Sequence, residues 1–182
     1  MGMILLPAVK SDYNDIIELA NVAYRGMGDE AAGVKASWNL EVGVLEGQRM
    51  NLSLLEEELA AKAEGFLLVW REQPEGPLLG TVWLVPKGDG VWHLGLLTVR
   101  PALQNAGMGR QLLEAAEGFV RERGGWKISM TVLNVRDALM AWYERRGYWA
   151  TGEREPFPYG DDRFGRPLRD DLEFVVFEKE IG

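Results

Sequence analysis

Leu97-Thr98-Val99-Arg100-Pro101-Ala102-Leu103-Gln104-Asn105-Ala106-Gly107-Met108-Gly109-Arg110 ends an apolar strand, turns through two closely spaced glycines and opens an amphipathic helix. Such a turn is a cradle for phosphate. Backbone N–H groups at a helix start lack intrahelical partners and lie at the positive end of the helix dipole. A pyrophosphate placed there gains several charge-assisted hydrogen bonds without needing lysines. The glycines let a ligand approach the backbone closely. Arg110 stands in the first helical turn, where a cation opposes the dipole, and reads either as an anion contact or as a solvated surface arginine.

The strand that feeds the turn, Val91 to Val99, is apolar on both parities, with Trp92, Leu94 and Leu96 expected on one face and Val91, Leu97 and Val99 on the other. That is the pattern of a central strand covered on both sides. Gly95 inside it marks a bulge or the close approach of another group. Two further strands, Phe66 to Arg71 and Gly80 to Pro86, precede it across turn clusters and predict an antiparallel meander. Upstream, Met3 to Leu6 reads as a strand, Ser11 or Asp12 as the cap of a helix reaching about Arg25, and Ser53 with Glu56 as the capping box of a second helix closed by Gly65. Downstream, the helix from Gly109 stops before Gly124-Gly125. Ile128 to Leu133 is then a strand parallel to Val91–Val99 through a right-handed crossover. Asn134 or Asp137 caps a last helix stopped by Gly147, and Tyr148 to Arg154 and Leu172 to Ile181 are terminal strands. The expected class is α/β, an α+β mixed sheet that is mostly antiparallel, with helices on both faces and one parallel pair, in a single domain over residues 1–182.

At 182 residues and 47% apolar content, the chain is long enough to bury a proper core in one domain. Its net charge of -8, without any run of Lys or Arg, argues against a nucleic-acid binder. The absence of cysteine excludes disulfides, Cys-based metal sites and an acyl-enzyme on a thiolate of this chain. A single histidine, His93, excludes a multi-histidine metal site. None of Ser11, Ser37, Ser53 or Ser129 sits in a nucleophile-elbow context. No signal peptide or membrane-spanning apolar run is visible, so a cytoplasmic protein without membrane partners is expected. A dinucleotide-binding turn needs glycine where Gln104 stands, and a P-loop needs a Gly-Lys-Ser/Thr that does not follow.

The order of elements resembles the GCN5-related N-acetyltransferase (GNAT) superfamily. Gln104-Asn105-Ala106-Gly107-Met108-Gly109 is similar to that family's Gln/Arg-x-x-Gly-x-Gly/Ala acetyl-CoA signature. Asn134 and the run Ala141-Trp142-Tyr143-Glu144-Arg145-Arg146-Gly147-Tyr148 resemble its second conserved block. Together the two blocks carry the resemblance across Val91 to Gly152, whereas Met1 to Gly90 agrees in element order only.

The resemblance implies that acetyl-CoA lies between the strands ending at Val99 and Leu133, with the pantetheine arm along the main chain of Leu97, Thr98 and Val99. The pyrophosphate would meet the backbone of Gln104, Asn105, Ala106, Gly107, Met108, Gly109 and Arg110. It implies direct acetyl transfer to a primary amine of a small molecule, amino acid or peptide, with the Leu97 N–H as oxyanion donor. Tyr143 takes the family position of the hydroxyl that meets the departing sulfur, and also reads as a core tyrosine four residues after Leu139. Asn134 reads as a pantetheine contact or as a helix cap. The general base stays open between His93, Glu41 and a water relay, and a lone histidine in an apolar strand equally fits a structural role. Acceptor recognition is expected from residues 26–50 and 155–171, with Arg25, Trp38, Glu41 and Arg49 on one side and Phe157, Tyr159 and Phe164 on the other. Each of these also fits ordinary loop packing. Aromatic and acidic residues suit a small cationic amine, whereas Arg25 and Arg49 suit a carboxylate. Homodimers are common in the family, and no interface is legible in the sequence. A catalytically silent acyl-CoA-binding module on the same fold is the competing expectation, and a purely structural domain that binds no acetyl-CoA is a third.

Overall fold

The strands of the meander are apolar on both parities, and successive side chains sort into two cores on opposite faces of the sheet. The computed structural model describes residues 2–25, 41, 43–163 and 165–182, with the backbone alone for Gln104 and Asn105. Its elements are β1 Ile4–Pro7, α1 Tyr13–Arg25, β2 Leu45–Glu46, α2 Leu52–Ala61, β3 Phe66–Arg71, β4 Gly80–Gly88 and β5 Val91–Val99, followed by α3 Met108–Glu122, β6 Lys127–Leu133, α4 Asp137–Glu144, β7 Trp149–Pro156, β8 Arg166–Pro167 and β9 Glu173–Glu180. Seven strands form one mixed sheet in the order β1-β3-β4-β5-β6-β9-β7. The expected meander is present as antiparallel β3, β4 and β5, and β6 pairs parallel to β5. Among the described residues no helix is long and apolar enough to cross a membrane.

On one face Leu68, Trp70, Val82, Leu84, Trp92 and Leu94 meet Leu112, Leu113, Ala116 and Val120 of α3. On the other, Leu67, Val69, Trp83 and Val85 meet Ile16, Leu19 and Ala20 of α1 and Leu54 and Leu55 of α2. Strand parity therefore places α1 and α2 opposite α3. Burying a leucine such as Leu112 completely stabilises the fold by about 2 kcal/mol, so the helices are held chiefly by these faces.

One position on β5 breaks the alternation expected from the sequence. Thr81 pairs with Thr98 and Trp83 with Gly95, which leaves Leu96 and Leu97 together opposite Val82. This is a β-bulge, and Leu96 adopts φ 52° within it. The extra residue shifts parity by one. Trp92, Leu94, Leu97 and Val99 consequently share the α3 core, while Leu96 alone joins the α1–α2 core. The expected grouping of Leu96 with Trp92 and Leu94 is thereby corrected, as is the shared parity of His93 and Leu97.

Local chemistry also moved several helix ends. Asn51, not Ser53, caps α2, its side chain accepting from Leu54 N–H at 2.9 Å, because the backbone turns from extended to helical at Asn51. Before α3, a short 3-10 segment at Pro101–Ala106 precedes Gly107, whose φ of 75° re-aims the chain into the helix. Neither Asn134 nor Asp137 caps α4; Arg136 holds that position without a side-chain bond. The two long loops are tied by a pairing not read from the sequence. Strands β2 and β8 form a two-stranded antiparallel sheet, extended by a bond from Leu168 N–H to the Val44 carbonyl at 2.9 Å.

Candidate active site

The parallel ladder between β5 and β6 is short. Its partners are Val91–His93 and Lys127–Ser129, whereas β5 runs on to Val99 and β6 follows β9 as far as Leu133. The two strands therefore part beyond His93, just before the bulge at Leu96. A cavity of about 400 Å³ opens there, lined by Leu94, Gly95, Leu97, Met130, Val132 and Tyr143. It continues to Tyr24, Arg25, Glu41, Arg49 and Arg136.

Tyr143, carried on α4, is 6% exposed and stands edge-on to Trp142 and Tyr148, with ring centroids 5.1 and 5.7 Å away. Burial first and Tyr24 second push its pKa far above the usual tyrosine range, against the opposing charge of Arg136. The phenol is therefore a proton donor at neutral pH. Tyr148 behind it donates to Glu117 Oε1 at 3.1 Å, and Lys179 Nζ reaches the same oxygen at 2.9 Å. This buried network braces the end of α4.

His93 lines the same cavity. Burial, and then the charges of Lys87 and Lys62, lower its pKa to about 4, so its imidazole is neutral at pH 7. Gly95 leaves space beside it, since a Cβ there would lie 3.9 Å from Nε2 and touch nothing nearer.

Glu41 is buried, and its carboxylate is paired with Arg25 and, at 3.6 Å, with Arg136. Its backbone N–H donates to the Tyr24 carbonyl at 2.9 Å. A carboxylate held between two guanidiniums builds the cavity wall. Arg49 lies over the Tyr24 ring at 5.3 Å. Its backbone is fixed by buried Asn21, whose Oδ1 accepts from Arg49 N–H at 2.7 Å and Met50 N–H at 3.1 Å, while Nδ2 donates to the Met50 carbonyl at 2.9 Å. Sequence reasoning missed Arg136, Tyr24 and Asn21; an asparagine interrupting the apolar stripe of α1 was the available signal.

Other expected residues stand elsewhere. Asn134 is committed to the start of β9, donating to the Asp171 carbonyl at 2.9 Å and accepting from Glu173 N–H at 3.1 Å, and it is not among the cavity-lining residues. Tyr159 is exposed and pins its own loop, donating to the Arg169 carbonyl at 2.8 Å and accepting from Leu172 N–H at 2.9 Å; its neighbour Phe157 lines the cavity instead. Arg110 is exposed and pairs with Glu114 at 2.9 Å. With Arg145 and Arg146 it borders a second hollow of about 490 Å³ between α3 and the end of α4. Thr98 is buried, its hydroxyl donating to the Leu96 carbonyl across the bulge at 3.2 Å. Trp38 and Phe164, and the side chains of Gln104 and Asn105, lie outside the described residues. Among the described residues no group of three or more His, Cys, Asp or Glu is placed to hold a metal.

Splayed parallel strands, a glycine turn at the end of the first and a buried tyrosine facing the gap are the arrangement that the two sequence blocks implied. A family model for the acetyltransferase (GNAT) family matches residues 35–148. The chain belongs to this family. No curated protein matches it significantly. Among solved structures, a GNAT family acetyltransferase from Elizabethkingia anophelis with acetyl-CoA bound is similar at a TM-score of 0.64 and 15% identity, covering 98% of this chain and 97% of that one. An acetyltransferase of the GNAT family from Staphylococcus aureus Mu50 gives 0.64 and 13%, with both chains fully covered. A spermidine N-acetyltransferase chimera of Vibrio cholerae SpeG and hSSAT gives 0.64 and 14%, covering 100% and 97%. These likenesses establish a shared fold for this GNAT acetyltransferase. At such identities the acceptor has to be argued from its own cavity.

Proposed function

We propose that this acetyltransferase moves the acetyl group of acetyl-CoA to a primary amine by direct attack, with both substrates bound together. The observation that carries the proposal is the parting of β5 from β6 beside a buried, protonated Tyr143. The residues present fit the cofactor. Gly107 has no atom within 4 Å of where a Cβ would stand, which leaves open space at the start of α3 for a phosphate. Acetyl-CoA supplies an activated thioester.

The chain's own residues supply the rest. The Leu97 N–H donates to the carbonyl oxygen as charge builds on it. The proton lost by the attacking nitrogen as the new C–N bond forms passes to water, because burial and the charges of Lys87 and Lys62 leave His93 a weak base. Tyr143 gives its proton to the departing sulfur as the C–S bond breaks, and solvent returns a proton to Tyr143. The products are the acetylated amine and free CoA thiol. No covalent enzyme intermediate is needed, in keeping with the absence of cysteine.

Calorimetric titration of the purified chain with acetyl-CoA, followed by amine-dependent thiol release, tests this reading. Saturable binding with amine-dependent release is expected. Binding without release from any amine would instead make the chain a silent acyl-CoA module, and no binding at millimolar ligand would remove the enzyme reading altogether.

A further inference from the structure

We infer that the acceptor carries a carboxylate beside its reacting nitrogen, and that Arg25, Arg49 and Arg136 hold it at the inner wall of the cavity. The inference rests on the amine-transfer reading above and names its substrate class. The chain is acidic, at -8, yet this wall gathers cations. Three guanidiniums reach it from separate elements, the end of α1, the segment before α2 and the cap of α4, and all line the same cavity as Tyr143.

Two of them are deeply buried, the side chains of Arg25 and Arg136 being 3% and 10% exposed. Burying guanidiniums is costly, and Glu41 meets both of these. Each of the three already has partners that hold it in place. A guanidinium carries five N–H donors in a planar fork, so a first carboxylate does not exhaust it, and it can bind a second in the same bidentate manner. Burial is the main cause of the lowered pKa of Arg25, opposed by Glu41, and the charge of Arg49 lowers it further. An anion between them relieves the repulsion.

The rest of the wall agrees. Lys62 also lines the cavity, paired there with Glu58 at 2.6 Å, and the lining carboxylate of Asp161 is paired with Arg163 at 2.9 Å, so neither carboxylate offsets the guanidiniums around Glu41. A positive field favours the neutral, nucleophilic form of an amine and rejects a polycation. Phe157 and Phe174, with ring centroids 5.9 Å apart, and Leu45 add an apolar surface to the same space. An α-amino acid with an apolar or aromatic side chain satisfies each feature. A polyamine offers the three guanidiniums no anion.

The test measures thiol release by the full chain with saturating acetyl-CoA on matched pairs, phenylalanine against phenethylamine and tryptophan against tryptamine, with spermidine alongside and rates expressed per neutral amine. Hydrogen bonds to charged groups contribute about 1.5–3 kcal/mol, so each amino acid should exceed its decarboxylated partner by about tenfold or more in kcat/KM. In Arg49→Gln that ratio should collapse towards one, whereas a purely structural role would lower both partners alike and overturn the assignment. Arg49→Lys keeps the charge without the fork and should lower the ratio partway, which serves if the glutamine variant fails to fold. Phenethylamine, tryptamine or spermidine turned over as well as the amino acids would overturn the inference and leave amine acetylation standing. Release with no amine at all, while acetyl-CoA still binds, would remove both readings.

Discussion

Leu94 and Leu97, three residues apart on one strand, are buried in the same core. Regular β alternation would put them on opposite faces. The bulge at Leu96 absorbs the odd residue, and it follows His93, the last residue of β5 paired with β6, by three positions. The strained residue therefore lines the opening between the two strands. Non-glycine residues at such φ values cost of order 1–3 kcal/mol and persist where the surroundings over-determine them.

This strain gives an inverted order of stability for two truncations. Leu96→Ala loses the buried side chain and keeps a Cβ in the left-handed region, whereas Leu96→Gly loses slightly more side chain but releases the backbone. Both should be less stable than the parent, by about 2–4 kcal/mol for alanine. The glycine variant should be the more stable of the two by about 1 kcal/mol. Urea unfolding midpoints decide it; alanine above glycine would mean that φ at this position is not a source of strain.

Much of this was legible in the sequence because periodicity and turn chemistry are local. The meander follows from apolar runs bounded by turn clusters, the parallel strand from the crossover through the helix after them, and the glycine turn from Gly107 and Gly109. The bulge was not legible in its consequence: Gly95 signalled an irregularity, but which neighbour takes the extra position depends on β4, and parity beyond it reverses. Asn134 shows the same limit, since a residue suited to cap a helix was taken up by Asp171 and Glu173, far away in the chain. The wall of the cavity was half legible. Arg25, Glu41 and Arg49 stood out as charges near an expected loop, whereas Arg136 was hidden in a strand-to-helix turn and meets Glu41 only through tertiary folding.

Gly107→Ala separates backbone strain from ligand exclusion. A methyl group there meets no protein atom within 4 Å, so only the φ of 75° penalises it, by about 1 kcal/mol of stability. A phosphate in that open space would meet the methyl directly. Acetyl-CoA affinity should fall at least about tenfold, equivalent to 1.4 kcal/mol, in a protein whose Tm drops only slightly. An unchanged calorimetric Kd would place the phosphates elsewhere.

His93 makes stability depend on pH in a defined window. Its folded pKa of about 4 lies below the ordinary value of 6.5, so between these the unfolded chain binds the extra proton. The stability associated with the neutral ring is present in full above about pH 6.5 and is lost as pH falls towards 4, by up to about 3 kcal/mol. His93→Gln should flatten this part of the stability profile, measured by urea unfolding at pH 7 and pH 5. For activity, the acidic limb of kcat/KM should reflect the acceptor's ammonium and not an imidazole titrating near 6.5. A wild-type limb at 6.5 that vanishes in His93→Gln would contradict the neutral state of the ring.

Tyr143 has the complementary behaviour at the alkaline end. Burial holds the phenol protonated well beyond its ordinary range, so kcat should show no decline from loss of this proton up to about pH 10, where an exposed tyrosine would be half ionised. Tyr143→Phe removes the donor without changing the ring that packs against Trp142 and Tyr148, so folding and acetyl-CoA affinity should be retained. General acid catalysis contributes typically 10² to 10⁴ in rate, and kcat should fall by about a hundredfold or more. A good leaving thiolate needs such help least, which makes the size of the loss informative. Full turnover in the phenylalanine variant would show that the sulfur departs unprotonated, and would return Tyr143 to the core residue that its position on α4 also allows.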